Sequence, residues 1–228
     1  MKWPVLLINY KAYDNSYGKR ALELSRQIEG VARQFPEINV IISVPAVSIS
    51  EISKAVSLPV FAQHVDPVKE GPYTGHITAK MIADAGASGS LVNHSERRIG
   101  FDEVAESVKL LSDEGLESIV CVDRNELVAP AAMLGATAVL VEPPELIGTG
   151  ISVSSARPEV IMSSVNEIKR AGRGLLLVGA GITNYEDAKR SMELGANGIG
   201  LASAVMKAKD PAAKVRELLE GIINGMHE

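Results

Sequence analysis

The chain has 228 residues, a formal net charge of −5, and 46% hydrophobic but only 4% aromatic residues. The mild acidity speaks against a general nucleic-acid footprint, which needs a basic face, and no apolar run approaches the ~20 residues of a membrane span. A lone cysteine, Cys121, excludes an internal disulfide and fits a reducing compartment. The apolar run Val5 to Ile8 behind Lys2 is too short for a signal peptide, so the expectation is a soluble cytoplasmic protein with an aliphatic core.

Eight short β-branched or aliphatic runs follow one another: Val5 to Tyr10, Val40 to Val44, Pro59 to Ala62, Gly89 to Asn93, Ser118 to Val122, Ala138 to Glu142, Leu175 to Gly179 and Gly198 to Leu201. They are nearly continuous rather than alternating, the mark of parallel strands buried on both faces. Helical patterns separate them. Ala21, Leu24, Ile28, Val31 and Phe35 step by three and four, as do Val104, Val108 and Leu111, then Ile161, Val165 and Ile168, then Val215, Leu218 and Ile222. Shorter helices are expected near Ile49 to Val56 and Asn125 to Leu134, and Thr183 with Glu186 matches a capping box.

No composition break or flexible linker divides the eight units, so the expectation is one domain over residues 1–228, a compact α/β (β/α)8 barrel. An open doubly wound sheet has the same alternation, but no G-x-G-x-x-G follows the first strand.

In a barrel the chemistry collects where strands end. Those positions carry Asn9 and Lys11, then Asn93-His94-Ser95-Glu96-Arg97-Arg98, then Glu142, Gly179-Ala180-Gly181, and Ala202-Ser203. Each has a bland reading. Lys11 taken alone is a solvated charge, Asn9 a turn residue, His94 a structural histidine, and Cys121 packing. Glu96, Arg97 and Arg98 read as a charged first helical turn. Glu142 is the least bland, because a carboxylate closing a buried apolar strand has no evident structural use. Pro143-Pro144 beyond it are stiff, Leu146-Ile147 form an apolar tip, and Gly148 and Gly150 are flexible. This is the composition of a loop that closes over a substrate.

Taken together, Asn9-x-Lys11, N-H-S-E-R-R at 93–98 and E-P-P-E-L-I-G-T-G at 142–150 resemble the triosephosphate isomerase family. Ala62-Gln63, Tyr73-Thr74-Gly75 and Cys121 add to the resemblance, and the short length with the E-P-P-E lid is similar to its archaeal branch. The lid lacks the usual aromatic at Pro144 or Glu145. Gly179-Ala180-Gly181 stands where many members have Gly-Gly-Ser, and Ala202-Ser203 where many have two glycines.

The resemblance implies interconversion of dihydroxyacetone phosphate and D-glyceraldehyde 3-phosphate, with no metal or cofactor. Glu142 is then the base, His94 a neutral imidazole electrophile, and Lys11 the cation that stabilises enediolate and phosphate. Asn9 orients the carbonyl and Glu96 buttresses the site. Ile147, Gly148, Gly179, Ala180, Gly181, Ala202 and Ser203 hold the phosphate, chiefly through backbone N–H groups.

Three rivals stand beside this reading. A metal-dependent epimerase needs two histidine and two acidic ligands on strand ends. A Schiff-base aldolase needs a late-strand lysine. A silent phosphate-binding barrel need not hold Lys11, His94 and Glu142 together. Finally, the twelve-residue stretch His64 to Gly75 is long for a compact domain. With Val65, Val68 and Tyr73 exposed on it, the resemblance implies a homodimer in which Thr74 approaches the partner's site, and a homotetramer beyond that.

Overall fold

The structure, a computed structural model, describes residues 1–146 and 149–226. Its strands are β1 (Val5–Asn9), β2 (Asn39–Val44), β3 (Val60–Ala62), β4 (Gly89–Val92), β5 (Glu117–Val122), β6 (Ala138–Val141), β7 (Leu175–Val178) and β8 (Gly198–Leu201). They pair in parallel and in sequence order. β8 then pairs back onto β1, with Leu6 opposite Ile199 and Leu7 opposite Gly200, and this last ladder closes the barrel. An open sheet is thereby excluded.

Why the strands read as continuous apolar runs is visible in their burial. Along β1, Val5 and Leu7 point into an inner cluster with Ile41, Phe61, Leu91, Leu140 and Leu177. Leu6 and Ile8 point outward into a second, larger cluster shared with the helices. Neither face meets water, so neither tolerates a polar alternation. The inner cluster is filled to the point where glycines are needed. A Cβ at Gly200 would lie 2.9 Å from Leu140 Cδ1 and 3.2 Å from its Cδ2.

The helices α1 (Gly18–Ala32), α2 (Ala46–Ser53), α3 (Ala79–Asp84), α4 (Phe101–Asp113) and α5 (Val128–Met133) cover the first five strands. Then come α6 (Val153–Ala156), α7 (Pro158–Ala171), α8 (Tyr185–Glu193), α9 (Ser203–Met206) and α10 (Pro211–Met226). The stripes anticipated on α1, α4 and α10 are the buried ones: Ala21, Leu24 and Ile28; Val104, Val108 and Leu111; Val215, Leu218 and Ile222. None of the helices is long and apolar enough to cross a membrane among the described residues.

Three expectations shift. Phe35 lies beyond α1, its N–H on Ala32 O, and only packs against the core from the following turn. The cap of α8 is Asn184, whose side chain accepts from Asp187 N, while Thr183 donates its N–H and hydroxyl to Asp187 Oδ2. The capping pair is thus one residue later than Thr183 and Glu186. Tyr10, Asn93, Glu142 and Gly179 each fall one residue past their strand. Lys11 and Asn93 take left-handed backbone (φ 48° and 61°), so after β1 and β4 the chain turns sharply out of the barrel.

Candidate active site

A cleft at the C-terminal mouth of the barrel is bordered by Asn9, Lys11, His94, Glu142, Gly181 and Ser203 among others. Five of the strand ends contribute to it, which is the arrangement that a closed barrel gives to its βα loops.

The first of these ends is built by hydrogen bonding. Asn9 is buried, and its Oδ1 accepts from Lys11 N (2.9 Å) and Gln63 Nε2 (3.2 Å). Gln63 Nε2 also reaches Lys11 O (2.9 Å). This pins Lys11 in a backbone conformation that costs a non-glycine residue about 1–2 kcal/mol. The lysine is therefore held on purpose rather than waving in solvent. Its Nζ lies 2.8 Å from Glu96 Oε1, and its side chain is only 17% exposed.

Glu96 is not in a helix. It sits in the turn after β4, five residues before α4, so the reading of Glu96, Arg97 and Arg98 as a first helical turn is wrong. Instead Arg98 pairs with Asp123 (2.8 Å) and Arg97 approaches Asp66 (3.8 Å). The turn is held by Asn93, which accepts from Ile99 N and donates to Cys121 O.

His94 is buried, and its Nδ1 accepts a hydrogen bond from Glu96 N (3.2 Å). An imidazole nitrogen that accepts carries no proton, so the hydrogen of the neutral ring sits on Nε2. Burial lowers the pKa of His94, the nearby Lys11 ammonium lowers it further, and Glu96 opposes both. The ring is thus a neutral donor through Nε2.

Nε2 lies 3.5 Å from Glu142 Oε2, a contact too long for a good hydrogen bond. The Glu142 side chain is 13% exposed, and burial pushes its pKa up to about 7 against partial relief from Lys11. The carboxylate rests against Gly179, where a Cβ would come within 2.8 Å of Oε1. Gly179 donates its N–H to Val141 O (3.0 Å), so that group is committed to the barrel ladder. Its place is behind Glu142 rather than against a ligand anion.

Gly181 adopts φ 70°, and a Cβ there would meet Ile151 O at a distance no packing allows. Ala180 and Gly181 line the cleft opposite Ala202 and Ser203, where α9 begins with N–H groups that have no acceptor within the helix. Ile147 and Gly148 lie outside the described residues. Leu146, read as part of the apolar tip, is 8% exposed and belongs to the outer core. Tyr13 and Thr183 also line the cleft. Nothing in their local sequence marks them. Gln63 was named only through the family resemblance.

Among the described residues no three His, Cys, Asp or Glu side chains gather as a metal centre would require. His64 Nε2 bonds Asp66 Oδ1 (3.0 Å), and Asp66 also receives Ile77 N and gives its own N–H to Ile77 O. That pair closes the neck of the loop 67–76. Val65, expected to be exposed on it, is fully buried beneath the neck; Tyr73 is exposed.

The family model described as triosephosphate isomerase matches residues 4–222. The triosephosphate isomerase of Metallosphaera sedula is 52% identical over 228 residues, all of both chains. That of Sulfolobus acidocaldarius is 55% identical over 228 residues, all of this chain and 99% of the relative. The chain belongs to the triosephosphate isomerase family. The crystal structure of triosephosphate isomerase from Bartonella henselae superposes with a TM-score of 0.74 over 99% of each chain at 20% identity, a likeness of fold. Membership also accounts for the order of Asn9, Lys11, His94, Glu96 and Glu142 along the barrel: each stands at a strand end of a fold that this family shares.

Proposed function

We propose that the chain interconverts dihydroxyacetone phosphate and D-glyceraldehyde 3-phosphate in the cytoplasm, as a step of glycolysis and gluconeogenesis, with no metal or cofactor. The observation that carries the reading is the pairing of a largely buried, proton-seeking Glu142 with a neutral His94 whose donor nitrogen faces the same cleft. A base with a pKa near the working pH takes protons well and returns them well.

Glu142 removes a proton from C1 of the ketose. As the C2 carbonyl oxygen gains charge, His94 Nε2–H donates to it. The proton of the C1 hydroxyl passes to the C2 oxygen by way of His94, which gives its Nε2 hydrogen to O2 and takes one back from O1. The Glu142 carboxylic acid then returns a proton to C2, and C1 becomes the aldehyde. Lys11 leans between Glu96 and the substrate, lowering the energy of enediolate and phosphate charge together. Asn9, with its Oδ1 occupied, has its amide N–H groups left to orient substrate oxygen. The phosphate is held by backbone N–H groups of Ala180, Gly181, Ala202 and Ser203, with Ile147 and Gly148 as its further contacts. Excluding water there protects the enediolate phosphate from eliminating phosphate and strengthens every local charge interaction.

Two copies at minimum complete the protein. A second cleft beside the first is bordered by Asn9, Lys11, Gln63, His64, Glu96 and Arg97, and the exposed tip of the loop 67–76, with Tyr73 and Thr74, is the shape that enters it from a partner. Exposed Phe101 and Met133 on the outer helices offer the further surface for a tetramer. The test is direct. Purified protein with EDTA is expected to isomerise glyceraldehyde 3-phosphate; absence of turnover refutes the reading, and a fully active sedimenting monomer refutes the assembly.

A further inference from the structure

Glu142 borders two separate spaces. On one side is the reaction cleft. On the other is a cavity of about 80 Å3 whose wall includes Ser95, Cys121, Asp123, Arg124 and Leu127. Glu142 is the residue common to the two linings.

The cavity is polar where it matters. Ser95 Oγ, of a residue in its wall, is buried and has no hydrogen-bond partner among the described residues, and Glu142 Oε2, 3.5 Å from His94 Nε2, is buried without one too. Buried polar atoms left without a protein partner are as a rule satisfied by water. The space is several times the roughly 10–15 Å3 that one water needs. Its far wall is the Asp123 carboxylate, 2.8 Å from Arg98 and 2.9 Å from Arg124, and those two arginine side chains are 50% and 62% exposed. The lining therefore joins the base to side chains that reach bulk solvent, and among the described residues it shares only Glu142 with the reaction cleft. Cys121 does not interrupt it with charge, since burial pushes its thiol pKa well up.

We propose that this cavity holds a short chain of waters behind Glu142, and that the base exchanges its hydron with solvent through it while substrate fills the front. The proposal rests on Glu142 as the base. The step is isotopic and balanced. The O–H bond of the Glu142 carboxylic acid breaks as its hydron passes to a water, and that water returns one of its own to the carboxylate oxygen. Nothing is oxidised or reduced, and the substrate carbon skeleton is untouched.

The experiment follows deuterium at C1 of dihydroxyacetone phosphate through turnover in ordinary water, with product trapped by oxidation and its C2 label read by mass spectrometry. Two variants perturb the route by different means. Ser95→Ala removes a water partner, and Leu127→Phe narrows the outer wall. Loss of label to solvent per turnover is expected to fall about tenfold in Ser95→Ala, the occupancy effect of one hydrogen bond. It is expected to fall also in Leu127→Phe, with isomerisation near the native rate in both. Unchanged label loss in the two variants overturns the proposal. So does a Ser95→Ala enzyme with reduced kcat and native label loss, which makes Ser95 a positioning residue for Glu142. Should Ser95→Ala fail to fold, Leu127→Phe alone decides, because it leaves the hydroxyl in place. Native protein without turnover refutes the isomerase reading itself, a result distinct from turnover with unaltered exchange.

Discussion

Replacing Glu142 with glutamine should remove a loss of stability that the native protein suffers as pH rises, while nearly abolishing its activity. A carboxyl whose pKa is about 7 in the fold, against 4.5 as its ordinary value, binds its proton more tightly folded than unfolded. Between those values the native state carries more protons than the unfolded one, so stability falls as pH rises and the loss is complete above the folded pKa. The shift of about 2.5 units corresponds to roughly 3 kcal/mol, with little discount because the side chain is 13% exposed. Glutamine cannot ionise and escapes this loss. Its amide brings a constant cost of its own, since Oε2 already lacks a partner. That constant cancels when the difference between variant and native stability is itself compared at two pH values. Denaturant titrations of both proteins at pH 4 and pH 8 should therefore show the gap moving in favour of Glu142→Gln by roughly 3 kcal/mol, or about 6–12 °C in thermal midpoint for a chain of this size. In the same preparations kcat should fall about 10²–10⁴-fold, the usual worth of a general base. A gap that does not change between the two pH values sinks the claim that burial charges Glu142 with its basicity. A variant within a few-fold of native activity sinks its role as base.

Lys11→Met should cripple turnover and weaken binding of a phosphate-bearing inhibitor while leaving the thermal midpoint almost unmoved. The partly exposed pair with Glu96 is worth at most about 1 kcal/mol; equal loss of fold and function returns Lys11 to a structural role. Gly179→Ala should displace the Glu142 carboxylate, because its Cβ would sit 2.8 Å from Oε1 where ordinary contact begins at 3.4 Å. A shift of that order should cost about tenfold in kcat, given that 1 Å of misplacement costs about 10²-fold; native kcat would clear Gly179 of any positioning role. Replacing residues 67–76 with a short turn, while keeping the Asp66–Ile77 pair that closes the neck, should yield folded monomers of low activity by sedimentation and assay. A truncated protein that still dimerises shows the contact lies elsewhere.

The fold was legible because its signal is redundant. Eight apolar runs alternate with helical stripes, and errors of one residue at Tyr10, Asn93, Glu142 and Gly179 do not change the topology. Those errors have a physical origin. An apolar run records burial, but a strand ends where φ changes, and the sequence around Lys11 and Asn93 does not announce a left-handed turn. The candidate site was legible as a set of residue types at strand ends. Its internal wiring was not. The Lys11–Glu96 pair joins positions 85 residues apart, the tautomer of His94 depends on one backbone N–H, and the crowding of Glu142 by Gly179 needs three-dimensional contact. Val65 was misjudged because loop context suggested exposure where the residue folds back onto the core.

The crowding inside the barrel also constrains how this sequence can drift. Gly200 is small because Leu140 is large, and the obstruction lies at the ends of one flexible side chain rather than at backbone. A lineage that keeps Leu140 can take alanine at position 200 only by moving that side chain aside. One that first shortens position 140 to valine or alanine opens the way to alanine at 200, and then makes the way back costlier. The two positions sit on different strands and look unrelated along the chain, yet their history has an order, written by the volume they share.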